Sequence, residues 1–155
     1  MEIKLKIEHR EEQFYVSIKN ILKREEIPSL LPPLIPELFQ WLKEKQIQYT
    51  GAPFFYYVKM EGEQLEVEVG IPTNSYLNGD DRVRPGTFPA GKYAVAKYIG
   101  PYNKLFAVHT DIEKWKDDNN IKFKSPKVEF YPTDPSAEPN PEKWQTVIIN
   151  RIDES

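Results

Sequence analysis

Cysteine is absent from this chain of 155 residues, and histidine occurs twice, at His9 and His109. The first absence excludes a disulfide frame, thiolate catalysis and Cys-ligated zinc, and the second excludes the usual histidine-rich metal sites. No metal and no cofactor are therefore expected. No apolar run approaches the roughly 20 residues that cross a bilayer. The opening MEIKLKIEHREE lacks the charged, apolar and small-residue regions of a secretory signal. These two features predict a cytoplasmic protein without a membrane partner. Long runs of one charge are missing too: 21 Lys and Arg are interspersed with 24 Asp and Glu, for a formal net charge of −3. Without a basic stripe to neutralise backbone phosphates, direct nucleic-acid binding is not expected.

What the chain does have is proline and aromatic residues: 14 Pro, 8 Phe, 9 Tyr and 3 Trp. Prolines imply many sharp turns, and the aromatics imply a flat-walled core or pocket. The length suits a single domain over residues 1–155.

Two stretches share one order of elements. QFYVSIKNILKREE (13–26) reads as a long strand. In SLLPPLIPELFQWLKEKQ, the residues Leu31, Leu34, Ile35, Leu38, Phe39 and Leu42 have the spacing of an amphipathic helix that starts near its prolines. TGAPFFYYVKM and GEQLEVEVGIP then read as a hairpin whose second arm alternates Leu65, Val67, Val69 and Ile71 against Glu66 and Glu68. After the turn-rich TNSYLNGDDRVRPG, strand GKYAVAKYI, helix YNKLFAVHTDIEKWKDD and strands KVEFY and WQTVIINRI repeat that order. A gapless offset links the copies, since 101 − 28 = 73 for Pro28 and Pro101 and 126 − 53 = 73 for Pro53 and Pro126. The same offset pairs Ile35 with Val108, Phe39 with Ile112 and Leu42 with Trp115. The fold expected is α+β: duplicated β-α-β-β modules in an antiparallel sheet with helices on one face. Repeat 1 covers about 13–72, a linker about 73–86, and repeat 2 about 87–152.

The acidic residue inside the apolar strand VEFY is Glu129. Taken alone, it reads as a solvated outward residue. The offset pairs it with Tyr56, and Tyr131 with Val58, so strand alternation predicts that Val128 and Phe130 meet the helix while Glu129 and Tyr131 face away from it. A groove walled by Tyr56 and Val58 on one side and by Glu129 and Tyr131 on the other would result. Tyr56 and Tyr131 read equally as groove walls or strand packing, and Tyr98 reads more as packing. Trp41 and Trp115 read as core, and Trp144 as a closure of the groove mouth. His109 reads as a helix-face residue and Gly100-Pro101-Tyr102 as a structural turn. TDPSAEPNPEK lacks calcium-loop spacing and reads as a hairpin connection.

In their order and spacing, GAPFFYY, GTFPAGKYAVAKYIGPYNKL, VEFYPTDP and the proline-then-WQT start of the last strand resemble the GyrI-like family. That family comprises the effector-binding domains of multidrug-sensing transcription activators and free-standing relatives such as the gyrase-inhibitory protein. The resemblance spans residues 13 to 152 and implies two β-α-β-β modules related by pseudo-twofold symmetry, with a ligand groove between the modules that holds a glutamate, which maps onto Glu129, and several aromatic residues. The chain departs from it at Arg151, where many relatives have proline, and at Val147, usually acidic. Without a helix-turn-helix or coiled coil before residue 13, a sensor module alone is expected.

The resemblance implies a protein that captures hydrophobic, often cationic or planar aromatic molecules. The ligand-binding candidates are Glu129, Tyr56, Tyr131, Val58, Tyr98 and Trp144. A carboxylate among aromatic rings is disfavoured as an anion unless a cation or donor offsets its desolvation, and such a ligand would supply one. Two further readings stand beside this. Some GyrI-like proteins hydrolyse reactive cyclopropane-bearing genotoxins, which would make Glu129 a catalytic residue that orients or deprotonates water. The gyrase-inhibitory relative implies a protein partner instead, either gyrase or a separate regulator.

Overall fold

A computed structural model describes residues 2–155. Among these, the chain order is β1 (Glu2–Arg10), β2 (Gln13–Leu22), α1 (Ile27–Leu30), α2 (Leu34–Glu44), β3 (Phe54–Lys59), β4 (Leu65–Thr73), β5 (Arg84–Phe88), β6 (Gly91–Ile99), α3 (Leu105–Asp118), β7 (Phe123–Phe130) and β8 (Gln145–Ile152). The class is α+β with antiparallel strand pairing throughout. The elements form two compact units, the first being Glu11–Ala90 and the second β1 together with Gly91–Ser155.

In the first unit the strands run β3-β4-β2-β5, and in the second β7-β8-β6-β1. Each unit thus contains strand, helix, strand, strand in chain order, plus an outer strand that the sequence reading did not include. One is β1, which precedes residue 13 and pairs along its length with β6. Its alternation of Ile3, Leu5 and Ile7 with Lys4, Lys6 and Glu8 is that of a half-buried strand. The other is β5, which begins in the stretch expected to be linker and pairs with β2. The strand expected to run to residue 26 stops at Leu22, and Arg24–Glu26 form a 3-10 turn.

Helix α2 begins after Pro32-Pro33 and carries Pro36 in its first turn, where no intrahelical N–H is needed. It lies against β4 and β2 and buries Leu34, Leu38 and Leu42. Leu65, Val67, Val69 and Ile71, whose burial the alternation predicts, are each at most 1% exposed. Helix α3 buries Val108 and Ile112 against Ala96, Tyr98 and Ile148, with Ile3, Leu5, Leu105 and Phe123 packed around them. The buried rows align Leu34 with Val108 and Leu38 with Ile112, an offset of 108 − 34 = 74. The helices are therefore one residue out of the gapless offset of 73 suggested by the proline pairs.

A strap fixes the β4–β5 connection to α2. The Asp80 carboxylate accepts hydrogen bonds from the backbone N–H groups of Val83 (2.7 Å) and Arg82 (2.9 Å) and from Trp41 Nε1 (2.9 Å). Arg82 also pairs with Glu37, its Nη2 donating at 2.9 Å. Trp41 is thus half-exposed at this strap rather than in the core. Val83 N–H, then Trp41, then Arg82 N–H hold the Asp80 carboxyl down to about 2. A carboxyl that is more acidic folded than unfolded stabilises the fold above its ordinary value of 3.8 and loses that contribution as pH falls toward about 2. We expect Asp80→Asn to remove this acid limb, measured as the pH dependence of urea unfolding followed by tryptophan emission. Retention of the same limb in the variant would show that Asp80 is not its source.

Candidate functional site: a buried carboxylate under the second-unit helix

Glu129 is 3% exposed and pairs across the sheet with Ile148, a residue of the core beneath α3. Directly paired strand residues share a face, so Glu129 points toward the helix and not away from it as the sequence reading had it. The cause is the one-residue error in offset. In the first unit Val69 belongs to the buried row and pairs with Phe55. The counterpart of Glu129 is thus Phe55, at 129 − 55 = 74, and not Tyr56. A slip of one residue exchanges the faces of a strand.

Burying a carboxylate without partners costs several kcal/mol by general experience, and here both oxygens are engaged. His109, on α3 one residue beyond the buried Val108, places Nε2 against Oε2 of Glu129. Tyr131, just past the end of β7, donates its hydroxyl to Oε1 at 2.5 Å. Tyr102, in the 3-10 turn before α3, meets the Tyr131 ring edge-on with centroids 5.7 Å apart and leans on Trp144 at 4.7 Å. Trp144 is anchored by its indole N–H, which donates to the Glu138 carbonyl at 2.7 Å, while its own carbonyl accepts from Gly100 N–H at 2.8 Å. The result is a carboxylate held by an imidazole and a phenol, with a second phenol and an indole stacked in turn behind the first. Burial first, then the charges of Asp134 and Glu129, push the Tyr102 phenol up.

Glu129, Tyr131 and Trp144 are thus brought into one cluster. Tyr98 has a different task. It is 1% exposed in the core and donates to the Pro101 carbonyl at 2.9 Å, which holds the turn that carries Tyr102. Gly100 in that turn has φ +152°, and a Cβ there would lie 2.4 Å from the Tyr98 hydroxyl, so a side chain is excluded. Tyr56 and Val58 belong to the first unit. Tyr56 pairs with Glu68, and its ring meets Phe88 edge-on at 5.3 Å, in a group with Tyr15 and Phe54. Glu68 accepts from Ser17 Oγ at 2.6 Å, and burial pushes its carboxyl up. Tyr56 therefore sits beside a carboxylate of its own unit.

The sequence reading missed His109 and Tyr102. His109 occupies the boundary of the apolar stripe, one position after Val108, and only the correct strand facing reveals what lies beneath that boundary. Among the described residues, no three His, Asp or Glu side chains converge as a metal site, and no helix is long and apolar enough to cross a membrane.

The duplicated strand-helix-strand-strand architecture has its counterpart in a known class of small-molecule-binding domains. Residues 4–153 match the GyrI-like small molecule binding domain, and the chain belongs to that family. Its fold is that of the C-terminal domain of EcmrR, with a TM-score of 0.84 at 18% identity over 100% of both chains. EcmrR in its complex with DNA gives 0.83 at 18% identity over 99% of this chain, which spans 58% of the length of that one. SAV2435 bound to tetraphenylphosphonium gives 0.69 at 11% identity over 97% of this chain and 94% of that one. A hydrolase from Listeria innocua gives 0.62 at 11% identity, covering 97% and 92%. At these identities the likeness is one of fold. No curated protein matches the chain in sequence.

Because the Tyr98 hydroxyl serves the turn, Tyr98→Phe is expected to cost about 1 kcal/mol of stability in urea unfolding, the usual net value of one hydrogen bond. A variant as stable as the parent would remove that assignment.

Proposed function

We propose that this domain binds hydrophobic cations and planar aromatic molecules at Glu129, with Tyr131, Tyr102 and Trp144 as the surfaces on which flat rings stack. The observation that carries this reading is a carboxylate 3% exposed whose immediate neighbours are aromatic. A buried negative charge beside aromatic rings is attractive to a delocalised cation, which is cheap to desolvate and gains both Coulombic and π attraction. Small polar cations, whose hydration is hard to replace, are poor candidates. The structural relative SAV2435, bound to tetraphenylphosphonium, is consistent with this chemistry. The reading uses second-unit residues alone and does not require Tyr56 or Val58.

The experiment is calorimetric titration with tetraphenylphosphonium. Saturable binding is expected, weakened about tenfold or more by Glu129→Gln, which corresponds to at least about 1.4 kcal/mol. Equal affinity in the Gln variant would overturn the role of the charge, and no saturable binding would overturn the reading itself.

One observation favours a second reading. An imidazole set against a carboxylate can accept a proton from water, and the pair could hydrolyse an electrophilic ligand held on the same rings. Incubation with electrophilic cyclopropane compounds, followed by mass spectrometry, separates the two functions. Turnover that is lost in Glu129→Gln supports hydrolysis, whereas binding without product supports capture alone.

A further inference from the structure

We propose that His109 sets the charge selectivity of the Glu129 site by acting as an internal occupant of the carboxylate, one that a cationic ligand must displace with release of a proton. This inference rests on the binding reading above and adds to it a second residue and a linkage.

The geometry assigns different jobs to the two partners of Glu129. Tyr131 holds Oε1 through a neutral hydroxyl and stays compatible with any ligand. His109 holds Oε2 through a ring that is charged or neutral according to pH. Its side chain is 20% exposed, against 4% for that of Glu129. The imidazole therefore reaches solvent from the rim of α3 while the carboxylate does not, and a side-chain rotation can take it off Oε2 without moving the helix.

The groups around it identify Glu129 as the charge His109 answers to. On the sheet face beneath α3, β1 presents Ile3 and Leu5, β6 presents Ala96 and Tyr98, β8 presents Thr146, Ile148 and Asn150, and β7 presents Lys127, opposite Asn150, as well as Glu129. Tyr98 gives its hydroxyl to Pro101. From the segments flanking the helix and β7 come the phenols of Tyr102 and Tyr131, and Asp134 acts on Tyr102 from the following loop. On α3 itself, Asp111 and Glu113 are exposed, and Glu113 pairs with Lys116. In the described second unit, Glu129 is the carboxylate buried beneath this helix.

An imidazolium and a lipophilic cation would then compete for one carboxylate. A protonated ring must give up its proton or be expelled as a charge before the ligand gains Glu129, whereas a neutral ring yields without that penalty. Cation affinity should rise with pH, by at most about tenfold per pH unit because one proton is exchanged. A neutral aromatic ligand, which gains nothing from the freed charge, should not follow this rise.

The test is titration of the full chain with tetraphenylphosphonium and with neutral triphenylphosphine oxide at a series of pH values from about 5.5 to 8.5, across which histidine side chains in general change charge. Each titration is run in two buffers of different ionisation enthalpy to count protons. Expected for the parent protein are cation affinity that increases at least about fivefold across the range and release of up to one proton per cation near the lower end, with triphenylphosphine oxide, where it binds, independent of pH. His109→Gln, which keeps a polar side chain on the helix rim, should bind the cation at low pH as tightly as the parent does at high pH, with no proton released. His109→Ala is the second variant should Gln re-form the contact. Flat or falling cation affinity in the parent overturns the proposal while leaving the binding reading intact, as does an unchanged pH slope in both variants. Failure of the parent to bind the cation at any pH overturns both.

Discussion

A carboxylate placed beneath a helix must find compensation for the water it has lost, and most of the local structure of the second unit follows from that demand on Glu129. One oxygen is met from the helix by His109, the other from the strand end by Tyr131. Tyr131 is backed by Tyr102, and Tyr102 by Trp144. Those rings sit where they do because Gly100 lets the chain turn tightly over Tyr98 and because the Trp144 backbone closes onto Gly100. Replacing Glu129 by an apolar residue would remove the acceptor shared by His109 and Tyr131, while the turn carrying Tyr102 and the anchoring of Trp144 do not depend on it.

The two units use one scaffold for different ends. At the position of Glu129 the first unit has Phe55, which is 8% exposed and closes its core in the ordinary apolar way. The carboxylate beside Tyr56 is that of Glu68, which lies on the opposite side of its strand from Val67 and Val69. The repeated backbone fixes where side chains can point, and the residue at each position decides whether that direction is filled with hydrocarbon or charge.

The sequence made much of this legible. Both helices, the β3–β4 hairpin and the buried row Leu65, Val67, Val69 and Ile71 follow from periodicity, and the acidic interruption of an apolar strand singled out Glu129. What failed was parity. Matching prolines gave an offset of 73, but Pro28 opens α1 and Pro126 sits at the register irregularity of β7, whereas the helices and inner strands align at 74, and in a strand one residue is the difference between core and solvent. Turns and bulges absorb an extra residue, so punctuation residues are poor rulers for facing. That error turned Glu129 outward and hid His109, since a residue at the rim of a helix acquires meaning only from what the strand beneath presents. The strands β1 and β5 went unread for another reason. An outer strand of charged and apolar alternation beside turn-rich sequence has few local signals, and its pairing partner lies far along the chain.

The distance between β1 and its partner also orders events in time. The first unit is one continuous stretch, and every strand it pairs emerges within that stretch during synthesis. β1 emerges earliest of all, yet its hydrogen-bonding partner β6 is not made until the first unit is complete. For that interval the β1 segment has no partner to make it a strand, and its lysines at positions 4 and 6 are the kind of charge that keeps such a segment from pairing with another chain. The domain thus begins with the piece it must use late, and the solubility of that piece while it waits is as much a requirement on the sequence as its final place in the sheet.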